Sequence, residues 1–385
     1  MDDTPETIVI DNGSYYTKAG FAGDDAPRSI FPTIVGMKKN NYNNSGHQKI
    51  VNSIGLKDSY IGDEVLSKKR FLDLYYPIEY GEITDWDKME KLWKHIFVNE
   101  LRVESSEHPL IITHSSLSTK QTKDKITEIM FETFKIPSLY VADQSLMALY
   151  SSGRNEGVVL DSGDQCTLSV PIIADQVQTN SIKKMNLGGR DLSKYLVELL
   201  NQKGYQSDDL NNYEYTRYNI KEKLCYSALD FELEVSTVNN TAVEKSYELL
   251  DGNFITVGNE RFRCTESLFQ PSHLQKEMDG IHQLCFNSIM NCPIETRYRL
   301  FNNIILCGGN TMFDGLKSRM EKELTALASS YYKIRIISSP ERKYSSFIGS
   351  SIRASIATFR DVVISKREYD EVGAYKSFQS KKFLF

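Results

Sequence analysis

The chain has 385 residues, of which 40% are hydrophobic and 25% are charged, as is typical of a globular protein with two or three domains. Its net charge of −5 gives no reason to expect nucleic acid or an anionic membrane as a partner, and no apolar run approaches the roughly 20 residues of a membrane span. The six cysteines form no CxxC pair and the six histidines show no metal-ligand spacing, which favours a reduced, cytoplasmic protein.

The first informative stretch is residues 8–14 (IVIDNGS), an apolar, β-branched run that ends in Asp, small polar residues and Gly. Strand-forming residues then resume and continue past Lys18. This pattern predicts a buried strand, a tight turn and a second strand. The turn places the carboxylate of Asp11 and several backbone N–H groups at one edge of a sheet, where they can bind a divalent cation and phosphate oxygens.

The next part of the chain alternates between helical and strand patterns. Residues 38–55 are polar and rich in Asn, so we predict a long surface loop there. Apolar residues at spacings of three and four across residues 86–101 predict an amphipathic helix. Residues 110–113 and 139–142 are predicted to be buried strands with a helix between them. This alternation indicates an α/β sheet, in which ligands bind beyond the carboxyl ends of strands.

A second acidic hairpin is predicted at residues 158–164 (VVLDSGD), which continue to Thr167 and repeat the first pattern. Asp11 and Asp161 are separated by the length of a whole domain. We therefore expect a duplicated domain with a ligand in the cleft between the copies and two carboxylates for its cation. The alternative is two unrelated buried hairpins with polar tips.

The second half of the chain contains further glycine-rich breaks. Residues 188–189 are a Gly pair before a predicted helix, and form either an anion-binding helix start or an ordinary turn. Residues 206–216 are predicted to be a polar loop and residues 220–231 a helix. Residues 304–312 resemble a strand that breaks into glycines, where bare backbone can approach a ligand. A late helix is predicted over residues 351–359.

With these glycine positions in view, the sequence resembles actin along nearly the whole chain. The matching blocks are long, follow the order of the family and are therefore highly specific. They include residues 18–27 (KAGFAGDDAP), 57–63 (KDSYIGD), 189–192 (GRDL), 221–226 (KEKLCY), 258–264 (GNERFRC) and 340–345 (PERKYS). The resemblance implies an α/β fold in which two related actin/ribonuclease-H-like domains flank a nucleotide cleft, each with a smaller subdomain.

The resemblance also implies domain boundaries, a location and partners. The implied ranges are 1–32, 77–151 and 345–385 for subdomain 1, 33–76 for subdomain 2, 152–187 and 278–344 for subdomain 3, and 188–277 for subdomain 4. A cytoplasmic, cytoskeletal protein is expected, with actin or other actin-like subunits as partners. Actin-binding proteins are expected at a groove containing Tyr150 and Arg353, whereas nucleic acid and membrane are not expected as partners.

The implied ligands are ATP or ADP and Mg²⁺ (or Ca²⁺). Carried over by position, Asp11, Gln144 and Asp161 would hold the cation, through water as suits Mg²⁺. Gln144 and Asp161 are the implied catalytic residues, and Gln144 would help to place the attacking water. The residues implied to surround the nucleotide are Ser14, Tyr15, Lys18, Asp164, Gln165, Gly189, Lys221, Glu222, Gly309, Asn310, Met312, Phe313 and Lys343.

Several departures from the family pattern fall in the phosphate loops. Tyr15 and Gln165 stand where the family has Gly, and they either point away from the phosphates or crowd them. Leu168 replaces a His that helps to orient the lytic water in the family, and a leucine side chain cannot donate to water. The alternative is that Leu168 simply packs. Tyr218 replaces an Arg near the adenine pocket, with Arg217 beside it.

Other departures fall on surfaces that form the filament or bind partners in the family. The loop over residues 38–55 is longer than its counterpart, and Asn and Ser replace an apolar tip. Residues 272–276 (SHLQK) replace a hydrophobic plug, and charge at the core of an interface is unfavourable unless it is paired. Arg353 stands where actin has an aliphatic residue. These changes either weaken polymerisation or are tolerated drift.

Three functions are weighed. The first is an actin-like cytoskeletal, ATP-binding filament subunit with slow ATP hydrolysis. The second is a non-polymerising or hydrolysis-impaired actin-like structural or regulatory protein that acts as a monomer, a filament cap or part of a complex. An ATPase of the actin type, weakened by Leu168 and the altered phosphate loops, is compatible with either. A small-molecule kinase of the same superfold is disfavoured, because the matching blocks extend far beyond the phosphate loops.

Overall fold

The computed structural model describes residues 5–39, 57–205, 214–237, 243–249 and 252–381. Nineteen strands lie in these ranges. They are β1 Ile8–Asn12, β2 Tyr16–Phe21, β3 Ser29–Pro32, β4 Val35–Lys38, β5 Ser59–Ile61, β6 Leu72–Tyr75, β7 Ile78–Glu79, β8 Glu82–Ile83, β9 Leu110–His114, β10 Ser138–Asp143, β11 Gly157–Ser162, β12 Thr167–Ile173, β13 Gln176–Val177, β14 Lys183–Met185, β15 Lys245–Glu248, β16 Phe254–Val257, β17 Ile304–Cys307, β18 Ile336–Ile337 and β19 Ile364–Ser365.

Fourteen α-helices lie in the same described ranges, so the predicted α/β class is confirmed. They are α1 Asp63–Lys68, α2 Trp86–His95, α3 Lys120–Glu132, α4 Gln144–Ser151, α5 Gly189–Gln202, α6 Glu214–Leu224, α7 Phe231–Thr237, α8 Glu260–Glu266, α9 Ile281–Met290, α10 Ile294–Phe301, α11 Leu316–Leu327, α12 Ser345–Ser355, α13 Phe359–Val362 and α14 Lys366–Lys381. Within the described residues, no helix is long and apolar enough to cross a membrane.

The chain divides into two compact units. The first unit comprises Met1–Ser151 and Ser346–Phe385, and the second comprises Ser152–Ser345. The main sheet of the first unit has the order β19-β10-β9-β1-β2-β3. In it, β1 runs antiparallel to β2 and parallel to β9, and β9 runs parallel to β10. This arrangement brings the carboxyl ends of β1, β9 and β10 to one edge of the sheet.

The main sheet of the second unit repeats this plan, with the order β13-β12-β11-β17-β18. Here β11 runs antiparallel to β12 and parallel to β17, and β17 runs parallel to β18. Five consecutive strands therefore have the same order and directions in both units, and each unit contains one of the two predicted acidic hairpins. Both hairpin predictions are confirmed.

The central strands carry a continuous apolar run before their polar carboxyl ends, because both faces of each sheet are covered. In the first unit, Ile8 and Ile10 of β1 pack into one core cluster, while Val9 packs into another with Ile111 of β9. In the second unit, Val158 and Leu160 of β11 lie in the main core. A strand buried on both faces has no polar alternation, as the continuous β-branched runs indicate.

Three helix predictions need correction. The helix predicted over residues 220–231 is two helices: α6 starts earlier, at Glu214, inside the predicted polar loop, and ends at Leu224. It ends because the backbone then turns to pair with Asp314, whose carbonyl oxygen accepts a hydrogen bond from the N–H of Ser227. The late helix starts at Ser345 rather than residue 351 and is followed by the separate α13. The helical pattern over residues 86–101 is α2 followed by a π-helix, Ile96–Leu101.

Some predictions are not tested by the described residues. Of the predicted loop over residues 38–55, only residues 38 and 39 are described, and Lys38 ends β4. Residues 206–213 of the second predicted loop and the chain end from residue 382 also lie outside the described ranges. The division into four subdomains stays a prediction.

Candidate functional site

The acidic residue of the first hairpin lies in a compact polar cluster within the first unit, which we call the first hairpin site: Asp11, Lys18, Thr113 and Gln144. Asp11 and Lys18 are directly opposed in the β1–β2 register, and the Lys18 ammonium lies 2.8 Å from Asp11 Oδ2. Both side chains are largely shielded from solvent, with exposures of 3% for Asp11 and 14% for Lys18. An ion pair of this kind is sensitive to the loss of either partner.

Gln144 reaches the same carboxylate from the first residue of α4. Its Nε2 lies 3.1 Å from Asp11 Oδ1, 2.8 Å from the carbonyl oxygen of Asn12 and 3.2 Å from Thr113 Oγ1. These neighbours accept hydrogen bonds, and a reversed amide would place Gln144 Oε1 against the oxygens of Asp11 and Asn12. The arrangement therefore turns Gln144 Oε1 away from Asp11, as an acceptor for a further group.

The parallel strands explain why these groups meet. β1, β9 and β10 end at the same sheet edge, and α4 begins directly after β10. Asn12 fastens this edge further: its amide donates to the Thr113 carbonyl oxygen at 3.2 Å, and its Oδ1 accepts from the indole of Trp93 at 3.2 Å. Trp93 is fully buried, so the hairpin is tied to the core of the first unit.

The turn of the first hairpin contains the predicted phosphate contacts Ser14 and Tyr15. A Cβ on Gly13 would lie 2.5 Å from the carbonyl oxygen of Tyr16, so the turn closes only with glycine there. The Thr33 hydroxyl donates to the Gly13 carbonyl oxygen at 2.7 Å, and the Thr33 N–H donates to that of Tyr15 at 2.8 Å. The Tyr15 ring packs edge-on against Tyr16, with 4.6 Å between centroids.

In the second unit, Asp161 has different neighbours. The β11–β12 register places Leu168 opposite it, and the β11–β17 register places Cys307 beside it. Gly308 follows with a positive φ of 88°, and a Cβ there would lie 2.5 Å from Asp161 Oδ1. Burial, followed by the charge of Asp161, raises the pKa of Cys166 at the hairpin end to about 11, so this thiol is protonated at neutral pH.

Asp164 at the second hairpin tip is held from two sides. The Tyr218 hydroxyl on α6 donates to Asp164 Oδ1. The Arg190 guanidinium lies 3.2 Å from Asp164 Oδ2. Tyr218 is therefore placed against the tip of the second hairpin in its own unit. Gln165 beside it is buried, with 5% of its surface exposed.

A second cluster surrounds Gly189 at the start of α5. The buried Lys221 ammonium donates to the Gly189 carbonyl oxygen at 2.8 Å and lies 4.5 Å from the centroid of the Tyr218 ring. Burial lowers the pKa of Lys221, while the nearby Asp164 carboxylate opposes that shift. A Cβ at position 189 would lie 2.9 Å from Lys221 Nζ and 3.0 Å from Asn310 Oδ1. Glycine is thus needed for this close packing.

The remaining residues predicted to contact the nucleotide also belong to the second unit. Asn310 donates to the Gly163 carbonyl oxygen at 2.7 Å and so links the end of β17 to the second hairpin. Gly309 and Met312 bound a 3₁₀ turn, Gly309–Met312, and Phe313 after it is buried. Lys343 pairs with Glu222 at 3.5 Å. The binding roles assigned to all these residues stay predictions.

A protein-family model described as Actin matches residues 2–383 of the chain. The chain belongs to the actin family. Members of the actin family generally bind a nucleotide together with a divalent cation, and they are typically cytoskeletal proteins. The recognition made from the sequence blocks is thereby confirmed, as is an α/β fold of the actin type.

Sequence reasoning missed Asn12, Thr113 and Arg190 as members of these clusters. The signal for Thr113 was a hydroxyl residue at the end of a buried strand, at the sheet edge where ligands bind in α/β folds. Among the described residues, no group of three or more His, Cys, Asp or Glu side chains is arranged to hold a metal ion. A hydrated Mg²⁺ held by one or two carboxylates needs no such group.

Proposed function

We propose that the protein is an actin-like cytoskeletal ATP-binding protein that assembles with other actin-like subunits and hydrolyses ATP slowly. The observation that carries the proposal is the first hairpin site, in which Asp11, Lys18 and Gln144 meet at the mouth of a glycine turn in a chain of the actin family. Such a site combines a cation for phosphate with oxygen ligands for a metal.

The donor chemistry fits the proposed ligands. Asp11 supplies carboxylate oxygen and Gln144 Oε1 supplies amide oxygen, and hard cations such as Mg²⁺ and Ca²⁺ prefer oxygen ligands. The Lys18 ammonium, which donates one hydrogen bond to Asp11, brings a positive charge and N–H donors to phosphate oxygens. When bound, a divalent cation would neutralise charge that builds up on the phosphates. Asp11, Gln144 and Asp161 are the residues proposed to hold it, through water.

The protein's own residues would act mainly by positioning. Gln144 Oε1 would accept a hydrogen bond from a water molecule and fix its direction of approach, while Lys18 would hold the phosphate chain. In the second unit, Asp164, Gln165 and Asn310 are also proposed to contact the nucleotide. Positioning and charge neutralisation account for most of the catalysis in phosphoryl transfer, so little covalent chemistry is required of the protein.

A second candidate is a nucleotide-binding actin-like protein that hydrolyses or polymerises poorly. Leu168 favours it, because this residue is 6% exposed and stands opposite Asp161, where the family places a water-orienting His. The segment over residues 272–276 also favours it. Its Lys276 ammonium bonds to Asp191 at 2.9 Å and to the Asn186 carbonyl oxygen at 3.0 Å, so this charge is engaged by its own unit.

Actin-binding proteins are the proposed partners of the first unit, at the groove that contains Tyr150 and Arg353. Ile352 on α12 and Ile356 just after its end support this assignment, since both are exposed and lie close to Arg353 in the chain. The Arg353 side chain is hydrogen-bonded to the hydroxyl of Tyr140 on β10, so the guanidinium is directed toward the main sheet of the first unit.

Sedimentation of purified protein with Mg²⁺ and ATP separates the two candidates. A pellet that appears above a critical concentration, with phosphate released as it forms, is expected for the filament subunit. Protein that stays in the supernatant but still retains nucleotide supports the second candidate. Purified protein without bound nucleotide, and without a thermal shift on adding ATP, would contradict both.

A further inference from the structure

The Thr113 hydroxyl lies at the centre of the first hairpin site and contacts both Asp11 and Gln144. Its Oγ1 is 2.8 Å from Asp11 Oδ1, 3.1 Å from the Asn12 backbone nitrogen and 3.2 Å from Gln144 Nε2. The residue is 1% exposed, so solvent does not compete for these bonds. One hydroxyl therefore joins the carboxylate and the amide proposed to act on the nucleotide's cation and water.

The direction of each bond follows from the chemistry of the groups. A hydroxyl has one donor and two acceptor positions. A carboxylate only accepts, so Thr113 donates to Asp11, and a backbone N–H donates, so Thr113 accepts from Asn12. Thr113 is also one of three acceptors, with Asp11 and the Asn12 carbonyl oxygen, that share the two N–H groups of Gln144 Nε2. All three positions of the hydroxyl are thus used, and its hydrogen has a single available direction.

This saturation has consequences for both partners. The bond to Asp11 Oδ1 is shorter than the one that Gln144 donates to the same atom, at 2.8 Å against 3.1 Å. Together with Lys18 at Oδ2, it fixes the plane of the Asp11 carboxylate. The bond accepted from Gln144 helps to hold Nε2 inward, which leaves Gln144 Oε1 facing away from Asp11.

We propose that Thr113 is a positioning residue, whose hydroxyl sets the orientation of the Asp11 carboxylate and the Gln144 amide and so controls cation-dependent retention of the nucleotide. The inference rests on the proposed function and deepens it at the same site. Thr113 acts through Asp11 and Gln144 and does not itself touch the nucleotide.

The strand that carries Thr113 does not depend on its hydroxyl. β9 is paired on both sides, with β1 and β10, and the Asn12 amide holds the Thr113 carbonyl oxygen. Removing the hydroxyl alone should therefore release Asp11 and Gln144 without displacing the strand. A merely structural role for Thr113 predicts lower stability with an unchanged response to the cation.

The test uses the full chain as Thr113→Val, which keeps the shape of the side chain, and Thr113→Ser, which keeps the hydroxyl. Thr113→Cys serves as a second variant with a weak donor. The measurement is the dissociation rate of a fluorescent ATP analogue in Mg²⁺ and again in EDTA, with the melting temperature of each nucleotide-free variant. The dissociation rate in EDTA divided by the rate in Mg²⁺ (the rate ratio) isolates the contribution of the cation.

In Thr113→Val we expect the rate ratio to fall about tenfold, because a hydrogen bond to a charged group is lost. Thr113→Ser should restore the ratio to near the wild-type value, and Thr113→Cys should lie between them. A wild-type ratio in Thr113→Val and Thr113→Cys overturns the inference, as does a lower melting temperature with no change in ratio. Wild-type protein that retains no analogue overturns the proposed function, and this control is measured first.

Discussion

The two acidic hairpins share a strand plan but differ in what surrounds the aspartate. Asp11 faces Lys18 across its hairpin, at 2.8 Å, whereas Asp161 faces Leu168 at the same register position. The first carboxylate is compensated by a full positive charge from its partner strand. The second is given an apolar neighbour by its partner strand, so the same backbone geometry serves two different chemical environments.

The third strand of each unit shows the same divergence. Thr113, the last residue but one of β9, donates a hydrogen bond to Asp11, while Cys307 ends β17 beside Asp161. The next residues are His114 in one unit and Gly308 in the other. The two units thus place an aspartate at the same point of one strand plan, and the flanking positions give each unit its own chemistry: bonded side chains in the first, close backbone in the second.

The largest effect is expected from Gly308→Ala, which adds a side chain where the backbone of Gly308 packs closely against β11 in the second unit. The added Cβ would strike the carbonyl oxygen of Ser162 and the Asp161 carboxylate at a φ of 88°. We expect a loss of roughly 4 kcal/mol in the free energy of unfolding, measured by chemical denaturation.

Gly153→Ala is the matched control for this substitution. Gly153 also has a positive φ, of 67°, but a Cβ there meets nothing within 4 Å. Gly153→Ala should lower the free energy of unfolding by only about 1 kcal/mol, the cost of the strained backbone alone. Equal costs at the two positions would show that the close contact at Gly308 contributes nothing.

Lys18→Met removes the charge that distinguishes the first hairpin from the second. It leaves Asp11 uncompensated beside the proposed phosphates, so ATP affinity should fall about 100-fold, or roughly 3 kcal/mol. Calorimetric titration with Mg-ATP gives the affinity directly. Lys322→Met, which removes an exposed pair with Asp230, should leave it unchanged. An affinity within threefold of wild type in Lys18→Met would contradict the role of this ion pair.

His114 makes the stability of the first unit depend on pH, a property that Gly308 cannot give the second. Burial lowers the pKa of His114 from 6.5 to about 4, against the opposing charge of Asp143. Between these values the unfolded chain binds a proton that the folded protein does not, so stability falls as the pH drops below 6.5. The loss attributable to His114 should be about 2 kcal/mol at pH 5.

Comparison with His114→Gln isolates this contribution from those of the carboxylates. Denaturant midpoints of both proteins are measured between pH 7.5 and pH 4.5, a range set by the two pKa values, and the slopes are compared. The denaturant midpoint of the wild type should fall more steeply below pH 6.5, because only the wild-type chain has His114 to take up a proton on unfolding. Parallel curves would mean that His114 titrates alike in the folded and unfolded chains.

The smallest effect is expected from Leu168→His, which places a polar side chain opposite Asp161 in the β11–β12 register. Phosphate release should accelerate about tenfold, which is below the range of about 10²–10⁴-fold for general acid–base groups because the His would orient water rather than transfer a proton. Leu168→Met, of similar volume and equally unable to donate, is the control. A rate that is unchanged in Leu168→His, at unchanged ATP affinity, would contradict the proposal that Leu168 slows hydrolysis.

The sequence was sufficient to predict both hairpins, because a β-branched run followed by Asp and Gly has few other low-energy arrangements. It failed over residues 220–231, where helical propensity extends past Leu224. There the pairing of Tyr226 with Asp314, a tertiary contact, ends the helix. Local pattern alone cannot reveal a partner about 90 residues away along the chain.

For the candidate site, resemblance to the family placed Asp11, Lys18 and Gln144 together, and the structure gives their distances. Neither spacing nor composition could reveal the part played by Thr113. Its hydroxyl reaches Asp11 only because β9 pairs with β1 in one register, and a shift of one residue would turn it to the other face. The Tyr218–Asp164 contact likewise depends on how α6 packs beside the second hairpin.

The central proposal is that Asp11 and Asp161 both take part in binding Mg-ATP. Equilibrium titration of Mg-ATP into wild type, Asp11→Asn and Asp161→Asn tests it most directly. We predict that wild type binds and that each substitution alone weakens binding by about tenfold or more, because each removes a charge from the cation's surroundings. Wild-type affinity in Asp161→Asn would confine the site to the first unit and contradict the account, as would a wild-type protein that binds no ATP.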